Sequence, residues 1–181
     1  NLRALGDAGA ISTNDSTLFE KIRQLAIHGQ KSKYVHTIYG WNSRLDEIQA
    51  AWLLFGLKVL DERNKKRIDI YKRYKKAFKD LPLTPMHEPL NSKPVYHQGI
   101  FCTEDRDTFK KYLDKQEISN GAYYPYPLHV QEAWSNSNLL PGSFPRAEKY
   151  ARDHIAIPVF AELTEEEIEC IISSVRSFFN K

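Results

Sequence analysis

The sequence is poor in the residues that cross-link small proteins or bind metals. Its 181 residues include two cysteines, Cys102 and Cys170, and one methionine. Both cysteines stand in apolar runs, so we expect two small buried thiols in a reducing compartment and predict a cytoplasmic protein. The six histidines are scattered along the chain without the spacing of metal ligands, so no metal site is predicted.

Further absences exclude other classes of protein. No apolar run is long enough to cross a bilayer, since the longest, residues 50–60, is interrupted by Gly56 and Lys58. The formal net charge of +3 is too small to predict nucleic-acid binding. The basic residues between 65 and 76 are mixed with acidic ones such as Asp69, which favours a solvated helix face over a membrane or nucleic-acid surface. The sequence also contains no glycine-rich phosphate loop and no nucleophile–base pair.

What the chain does contain is a balanced globular composition. Hydrophobic residues make up 41% and charged residues 27% of the sequence, and the length allows one domain with a sizeable core. The chain begins at Asn1 rather than at a methionine, and it leads directly into a strand-like run at residues 8–13. We therefore expect it to be the back part of a longer protein.

One long helix is predicted near the middle of the chain. Ser43 can cap its first turn, and Ile48, Trp52 and Phe55 follow at helical spacing with other apolar residues between them. This pattern predicts a helix that is buried nearly all round and runs well past Leu60. The polar residues just before it include two donors, Asn42 and Arg44, which suit an anion such as a phosphate. The alternative is an ordinary capped core helix with solvated polar residues.

The other elements are short. Strands are predicted at residues 95–103, 118–124 and 154–159, and a polar loop at residues 30–37. Thr17 with Glu20 and Thr164 with Glu167 have the spacing of capping boxes, each opening a helix. This order of elements predicts a small α+β sandwich, with a long helix and a small sheet flanked by helices.

An aromatic corner follows the second predicted strand. Residues 123–129 read YYPYPLH, and the prolines fix the backbone between Tyr124 and His129. Together with Tyr123, these side chains can line a sugar or nucleotide pocket by stacking and hydrogen bonding. The alternative is an aromatic corner that packs on the core.

Several separate segments, in this order, carry a family resemblance. They are NLRALGDAGA at residues 1–10, GWNSRLDEIQAA at 40–51, YPYPLHVQ at 124–131, FPRAE at 144–148, and the Ile157–Pro158 pair before LTEE at 163–166. The chain resembles the DegT/DnrJ/StrS family of sugar aminotransferases over nearly its whole length. Two positions depart from the family pattern: Arg3 stands where Gly is usual, and Tyr123 where His is usual.

The resemblance implies an α+β fold from a fold type I pyridoxal phosphate-dependent transferase. Residues 1–60 would be the end of the large cofactor domain, with an interface loop and the start of the long helix. Residues 61–181 would be the small C-terminal domain, with a small antiparallel sheet. The resemblance also implies a homodimer with active sites at the subunit interface, without nucleic-acid or membrane partners.

The resemblance also implies roles for individual residues. The Schiff-base lysine would lie immediately before Asn1, so we expect no catalytic residue in this chain and no activity from it alone. Asn42 would reach the cofactor phosphate of the partner subunit, and Arg44 would lie near the substrate's pyrophosphate. Tyr123 and Tyr124 match the pair that contacts the sugar nucleotide, and we predict that His129 binds the substrate beside them.

The activity that follows is transfer of an amino group, with glutamate as the expected donor, to a nucleotide-linked keto sugar. The cofactor would be pyridoxal 5′-phosphate, and the product would serve surface polysaccharides or glycosylated compounds. One alternative is a sugar dehydratase of the same family, which has histidine in place of the lysine. A second is a non-catalytic nucleotide-binding or regulatory module.

Overall fold

The computed structural model describes residues 1–137 and 139–180, which form two compact units, Asn1–Asp61 and Glu62–Lys181. The helices are α1 (Ser16–Ala26), α2 (Glu47–Leu57), α3 (Leu60–Ala77), α4 (Arg106–Lys115), α5 (Pro145–Asp153) and α6 (Glu165–Phe179). The strands are β1 (Gln30–Ser32), β2 (Val35–His36), β3 (Thr84–Pro85), β4 (Gly99–Cys102) and β5 (His154–Ile157). Short 3₁₀ helices lie at Leu128–Val130 and Glu132–Ser137.

The first unit opens with a helix whose cap differs from the predicted one. The Asp15 carboxylate accepts hydrogen bonds from the backbone N–H groups of Thr17 and Leu18, at 2.8 and 3.1 Å. The predicted capping box of Thr17 with Glu20 is therefore wrong, because Asp15 already satisfies the free N–H groups. The predicted polar loop at 30–37 is instead an antiparallel hairpin of β1 and β2, with Tyr34 at φ 67° in its turn.

The predicted long helix is two helices. The N–H groups of Lys58 and Val59 donate to the carbonyls of Phe55 and Gly56, three residues back instead of four, at 3.2 Å each. This tighter turn ends α2 before α3 begins. Helix α2 also begins later than predicted, because its N-cap is Asp46 rather than Ser43.

The prediction that α2 is buried nearly all round is wrong for this chain. Within the helix only Gly56 is buried, while Ile48, Leu54 and Phe55 are 72%, 63% and 59% exposed. Apolar residues on every face indicate that a helix will be covered, but they do not indicate which part of the protein or which partner covers it. The exposed apolar side chains of α2 form a patch of the kind that marks an interface.

The polar side of α2 holds the first residues of the chain. Trp52 Nε1 donates to the carbonyl of Arg3 at 2.8 Å, and Gln49 Oε1 accepts from the N–H of Leu5 at 2.9 Å. The strand predicted at residues 8–13 is absent: this segment has no regular secondary structure and is almost entirely exposed. A strand-like pattern needs a neighbouring strand to pair with, and none of the described residues pairs with this segment.

The second unit contains an antiparallel sheet in the order β3–β4–β5. In the register of β4 and β5, Gly99 lies opposite Ile157 and Cys102 opposite His154. Two predicted strands are therefore present but shorter than expected. The third, at residues 118–124, forms only a single bridge from Gly121 to Ala156, so that prediction is wrong. The α+β class is confirmed.

The core of the second unit lies between this sheet and three helices. Its largest fully buried apolar side chains come from α3, β4, α4, β5 and α6 and the segment after α3; they are Tyr71, Tyr74, Phe78, Phe101, Phe109, Leu113, Ile155, Ile168 and Val175. The predicted capping box of α6 is confirmed. The Thr164 hydroxyl accepts from the Glu167 N–H at 3.2 Å, and the Glu167 carboxylate accepts from the Thr164 N–H at 2.8 Å.

Other predictions concern thiols, membranes and metals. Cys102 is partly buried but Cys170 is exposed on α6, so the prediction of two buried thiols is wrong for Cys170. None of the helices in the described part of the chain has the length and apolar character needed to cross a membrane. Among the same residues, no group of three or more His, Cys, Asp or Glu side chains could hold a metal ion.

Candidate functional site

The segment that contains Asn42 is held by backbone hydrogen bonds to the end of α1. The N–H of Trp41 donates to the carbonyl of Leu25 at 2.8 Å, and the N–H of Ser43 donates to Ala26 at 2.9 Å. In the opposite direction, the N–H of His28 donates to the carbonyl of Trp41 at 2.8 Å. Because both neighbours of Asn42 are fixed in this way, its side chain leaves the backbone from a defined point.

Two glycines allow this segment to lie so close to α1. A Cβ atom on Gly40 would overlap the backbone of Gly29, His28 and Leu25. Gly29 itself has φ +73°, and a Cβ atom there would overlap the carbonyl of Ile38. A residue with a side chain at either position would push the two backbones apart, so glycine is a structural requirement here.

Asn42 and Arg44 form a pair of donors. Arg44 Nε donates to Asn42 Oδ1 at 2.8 Å, and this bond fixes which end of the amide faces the arginine. Neither the Asn42 amide nitrogen nor the two terminal guanidinium nitrogens of Arg44 hydrogen-bonds to any described residue, and both side chains are exposed. A set made only of donors, one of them charged, fits the phosphate of a cofactor or of a substrate.

The predicted sugar-nucleotide residues do not converge on one cavity. Tyr123 lines a cavity of about 180 Å³ with His97 and Gln98. Tyr124 lines a larger one of about 790 Å³, and His129 lines a third of about 380 Å³. Tyr124 and His129 therefore line different cavities, and the role of each residue in substrate binding stays a prediction.

His129 is buried and has a carboxylate partner. Its Nε2 lies 2.8 Å from Glu148 Oε1, and its ring packs edge-on against Phe144 at 5.0 Å between centroids. The same Glu148 oxygen accepts from the N–H groups of Gly142 at 2.7 Å and Phe144 at 3.3 Å. Burial raises the pKa of Glu148, but these hydrogen bonds outweigh it and hold the pKa below its usual value. The cluster fixes the chain just before α5.

The cavity beside Tyr124 contains residues that were not predicted as site residues. Tyr126, Gln131 and Arg146 line it together with Tyr124. Arg146 lies in the first turn of α5, where the positive end of the helix dipole disfavours a cation. That placement is visible in the sequence once the start of α5 is known, and it is the signal that could have identified Arg146.

Comparisons with known proteins identify a family and relatives for this chain. The sequence model of the DegT/DnrJ/EryC1/StrS aminotransferase family matches residues 1–176. A protein of Geobacillus stearothermophilus named pleiotropic regulatory protein is 39% identical over 99% of this chain and 49% of its own length. A Streptomyces venezuelae protein named dTDP-3-amino-3,4,6-trideoxy-alpha-D-glucose transaminase is 36% identical over 98% of this chain and 47% of its own length.

A solved structure gives the same result. The crystal structure of S. venezuelae DesV in complex with a ketimine intermediate superimposes with a TM-score of 0.93 at 35% identity. The match covers 97% of this chain and 47% of that one. The chain thus spans about half the length of the curated relatives it matches.

We predict that Gly40→Ala loosens the segment that carries Asn42. The added methyl group must displace backbone atoms, which breaks the hydrogen bonds from Trp41 and Ser43 to the end of α1. Amide hydrogen exchange at these two positions should accelerate by about tenfold or more, equivalent to about 1.4 kcal/mol. Gly9→Ala is the matched control, because a Cβ atom there meets nothing within 4 Å. Unchanged protection in Gly40→Ala would contradict the proposed constraint.

A second prediction concerns the pH dependence of Glu148. Its pKa is lower in the folded state than in the unfolded state, so its charge stabilises the fold above the usual glutamate pKa. This stabilisation is lost as the pH falls through the lowered value. The difference in free energy of unfolding between the wild type and Glu148→Gln should therefore shrink as the pH is lowered from 7 towards 3 in urea titrations. A constant difference for Glu148→Gln across this pH range would refute the assignment.

Proposed function

Because the chain belongs to the DegT/DnrJ/EryC1/StrS aminotransferase family, we propose that it is the C-terminal part of a nucleotide-sugar aminotransferase. The full-length enzyme moves an amino group from glutamate to the keto carbon of a nucleotide-linked sugar, for surface polysaccharides or other glycosylated products. The observation that carries the proposal is the rigidly held donor pair of Asn42 and Arg44 within a family match that spans the chain. The transaminase relative from S. venezuelae supports the substrate class. The cytoplasm is our proposed location.

The donor pair binds phosphate groups in this proposal. The Asn42 amide donates to the phosphate of pyridoxal 5′-phosphate in the partner subunit, and the Arg44 guanidinium holds the diphosphate of the substrate. The Arg44–Asn42 bond at 2.8 Å orients the amide so that its nitrogen is available to donate. The cofactor supplies an electron sink for the carbon that loses its proton. Tyr124, which is 76% exposed, offers its hydroxyl to the sugar nucleotide; Tyr123 and His129 stay predicted substrate-binding residues.

The two regions have different places in the proposed enzyme. We assign residues 1–60 to the end of the large cofactor-binding domain and residues 61–181 to the small C-terminal domain. The exposed apolar side chains of α2, with Ile48 at 72% and Leu54 at 63% exposure, support its burial against other parts of a homodimer. If Asn42 and Arg44 bind phosphate groups in the active site of the partner subunit, each active site lies at the subunit interface.

The catalytic lysine is assigned to the residue before Asn1 in the full-length enzyme. The chain alone then supplies binding groups but not the amine that carries the cofactor, and we expect no transamination from it. A histidine at that position would instead indicate the sugar dehydratase of the same family. Determining that residue from the gene separates the two activities.

A regulatory module is the second candidate, because the relative at 39% identity is named a pleiotropic regulatory protein. The same donor pair could then bind a nucleotide without catalysis. Titration of the purified chain with a nucleotide sugar distinguishes the two. A module should be monodisperse and bind the nucleotide, whereas a part of an enzyme should self-associate through exposed apolar surfaces such as α2 and bind little.

We predict that Asn42→Ala in the full-length enzyme weakens cofactor retention without unfolding the protein. The change removes one hydrogen bond to a charged phosphate, worth about 1.5–3 kcal/mol, or roughly a 10- to 150-fold higher dissociation constant. Cofactor release during dialysis, followed by absorbance, measures it. Asn14→Ala, an exposed asparagine before α1, is the control. Wild-type affinity in Asn42→Ala would rule out the phosphate contact.

We also predict that Tyr124→Phe raises the Michaelis constant for the sugar nucleotide and leaves that for glutamate nearly unchanged. The amino donor carries no diphosphate or sugar hydroxyl to contact this residue. Loss of a neutral hydrogen bond costs about 0.5–1.5 kcal/mol, or roughly tenfold at most. Kinetics of both half-reactions provide the measurement. Equal effects on the two substrates, or lowered thermal stability with both constants unchanged, would contradict the assignment.

A further inference from the structure

One cavity of the second unit is bounded by backbone that a single buried arginine holds. We define the Tyr123 cavity as the space of about 180 Å³ that Tyr123 lines together with residues such as His97 and Val159. We propose that Arg67 is a positioning residue for the sugar part of the substrate, because it fixes His97 in the wall of this cavity, where His97 contacts the sugar. The inference rests on the proposed function for the identity of the substrate, but its test does not require turnover.

Arg67 joins two segments that are distant in the sequence. It lies on α3 and is 5% exposed. Its Nη1 donates to the carbonyl of Val159, after β5, at 2.6 Å, and to the carbonyls of Tyr96 and His97, before β4, at 3.2 Å each. Burial of a cation is unfavourable unless hydrogen bonds compensate for it, and an apolar side chain could not bind these carbonyls. We infer that Arg67 holds the two segments in place rather than simply filling the core.

Tyr96, directly before His97, has an unfavourable backbone conformation. Its φ is +43°, in the left-handed region that residues with a side chain rarely adopt. Three contacts hold it there: its hydroxyl donates to Glu88 Oε1 at 2.8 Å, its ring stacks on Tyr71 at 4.1 Å between centroids, and its carbonyl accepts from Arg67. Strained residues of this kind persist where the surrounding structure fixes them, and they cluster at functional sites. The chain thus turns at Tyr96 and places His97 at the cavity.

The Tyr123 cavity suits a sugar ring better than a nucleotide. Its volume of about 180 Å³ is below the range of about 300–1,000 Å³ that is typical of sites for a whole small molecule, so it can take only one part of a nucleotide-linked sugar. Burial and the charge of Arg67 lower the pKa of His97, so its imidazole is neutral at pH 7 and offers one donor and one acceptor. The polar residues that line the cavity are His97, Gln98, Ser119, Asn120 and Tyr123. Neutral donors and acceptors match sugar hydroxyl groups, whereas a diphosphate favours cations.

The experiment measures ligand binding by the full-length, cofactor-loaded protein with calorimetry. The probes are UDP-glucose and dTDP-glucose, each compared with UDP or dTDP alone, so that the affinity ratio within a pair reports the contribution of the sugar. His97→Ala and Arg67→Met should each lower this ratio by about 3- to 10-fold, as expected for the loss of a neutral hydrogen bond, and leave the affinity for the diphosphates unchanged. Because Arg67 acts through His97, the double variant should lose no more than the larger single effect.

Two further variants separate positioning from stability. Arg67→Lys keeps a charged donor without the planar fork, so its ratio should be intermediate; it replaces Arg67→Met if thermal melts show that the latter is unfolded. Arg176→Met is the matched control, because Arg176 also joins two segments of the second unit, through bonds from α6 to the carbonyl of Ala77 and to Asp80, but is not among the residues that line the cavity. It should lower the melting temperature and keep the wild-type ratio.

The outcomes separate this inference from the proposed function. A wild-type ratio in both His97→Ala and the Arg67 variants, fully additive losses in the double variant, or an equal loss in Arg176→Met would overturn the inference. A ratio that depends on Arg67 and His97, without any amino transfer to keto sugars by the wild type, would uphold the inference and reject the proposed function. Amino transfer by the wild type, with an unchanged ratio in these variants, would do the reverse.

Discussion

The close approach of Gly29 and Gly40 is the constraint on which the proposed phosphate site depends. Only residues without a side chain let the backbone at 40–43 run against the end of α1, where hydrogen bonds hold Trp41 and Ser43 on either side of Asn42. An exposed loop would otherwise order its donors only when the ligand binds, at a cost in affinity. Here the backbone hydrogen bonds to the end of α1 and the Arg44–Asn42 bond hold the two donors before any ligand binds. Their exposed side chains can then meet a phosphate that another part of the enzyme carries.

A comparable constraint organises the second unit. The Glu148 carboxylate joins His129 to the segment before α5 and thereby determines where that helix begins. The helix in turn presents Arg146 beside Tyr124. In both units, the residues proposed to bind a ligand lie on exposed segments and are held in place by buried or backbone contacts of other residues.

The sequence predicted the cap of α6, which depends on near neighbours along the chain, but it failed where distant contacts decide or where a nearby residue competes, as Asp15 does with Thr17. The Thr164–Glu167 box is right because both partners lie in one turn. The sequence predicts Ser43 as the cap, but its N–H donates to the carbonyl of Ala26, a contact that spacing cannot reveal and that holds Ser43 in the segment before the helix, and α2 begins only after Asp46. The apolar faces of α2 predict a core helix, but periodicity does not identify what covers a helix, and in this chain those faces are exposed. Local polarity predicts the donor pair, whereas the position of Arg146 beside Tyr124 depends on tertiary contacts between residues more than twenty positions apart.

The central claim is that Asn42 and Arg44 serve the active site of the partner subunit. Doubly tagged heterodimers of the full-length enzyme test it directly, with one subunit carrying Asn42→Ala and Arg44→Ala and the other lacking the cofactor lysine. Neither parental homodimer should be active. The heterodimer should recover about half of the wild-type transamination rate, because one of its two sites then has both an intact lysine and an intact donor pair. A heterodimer as inactive as its parents would show that the donor pair acts within its own subunit and would contradict the claim.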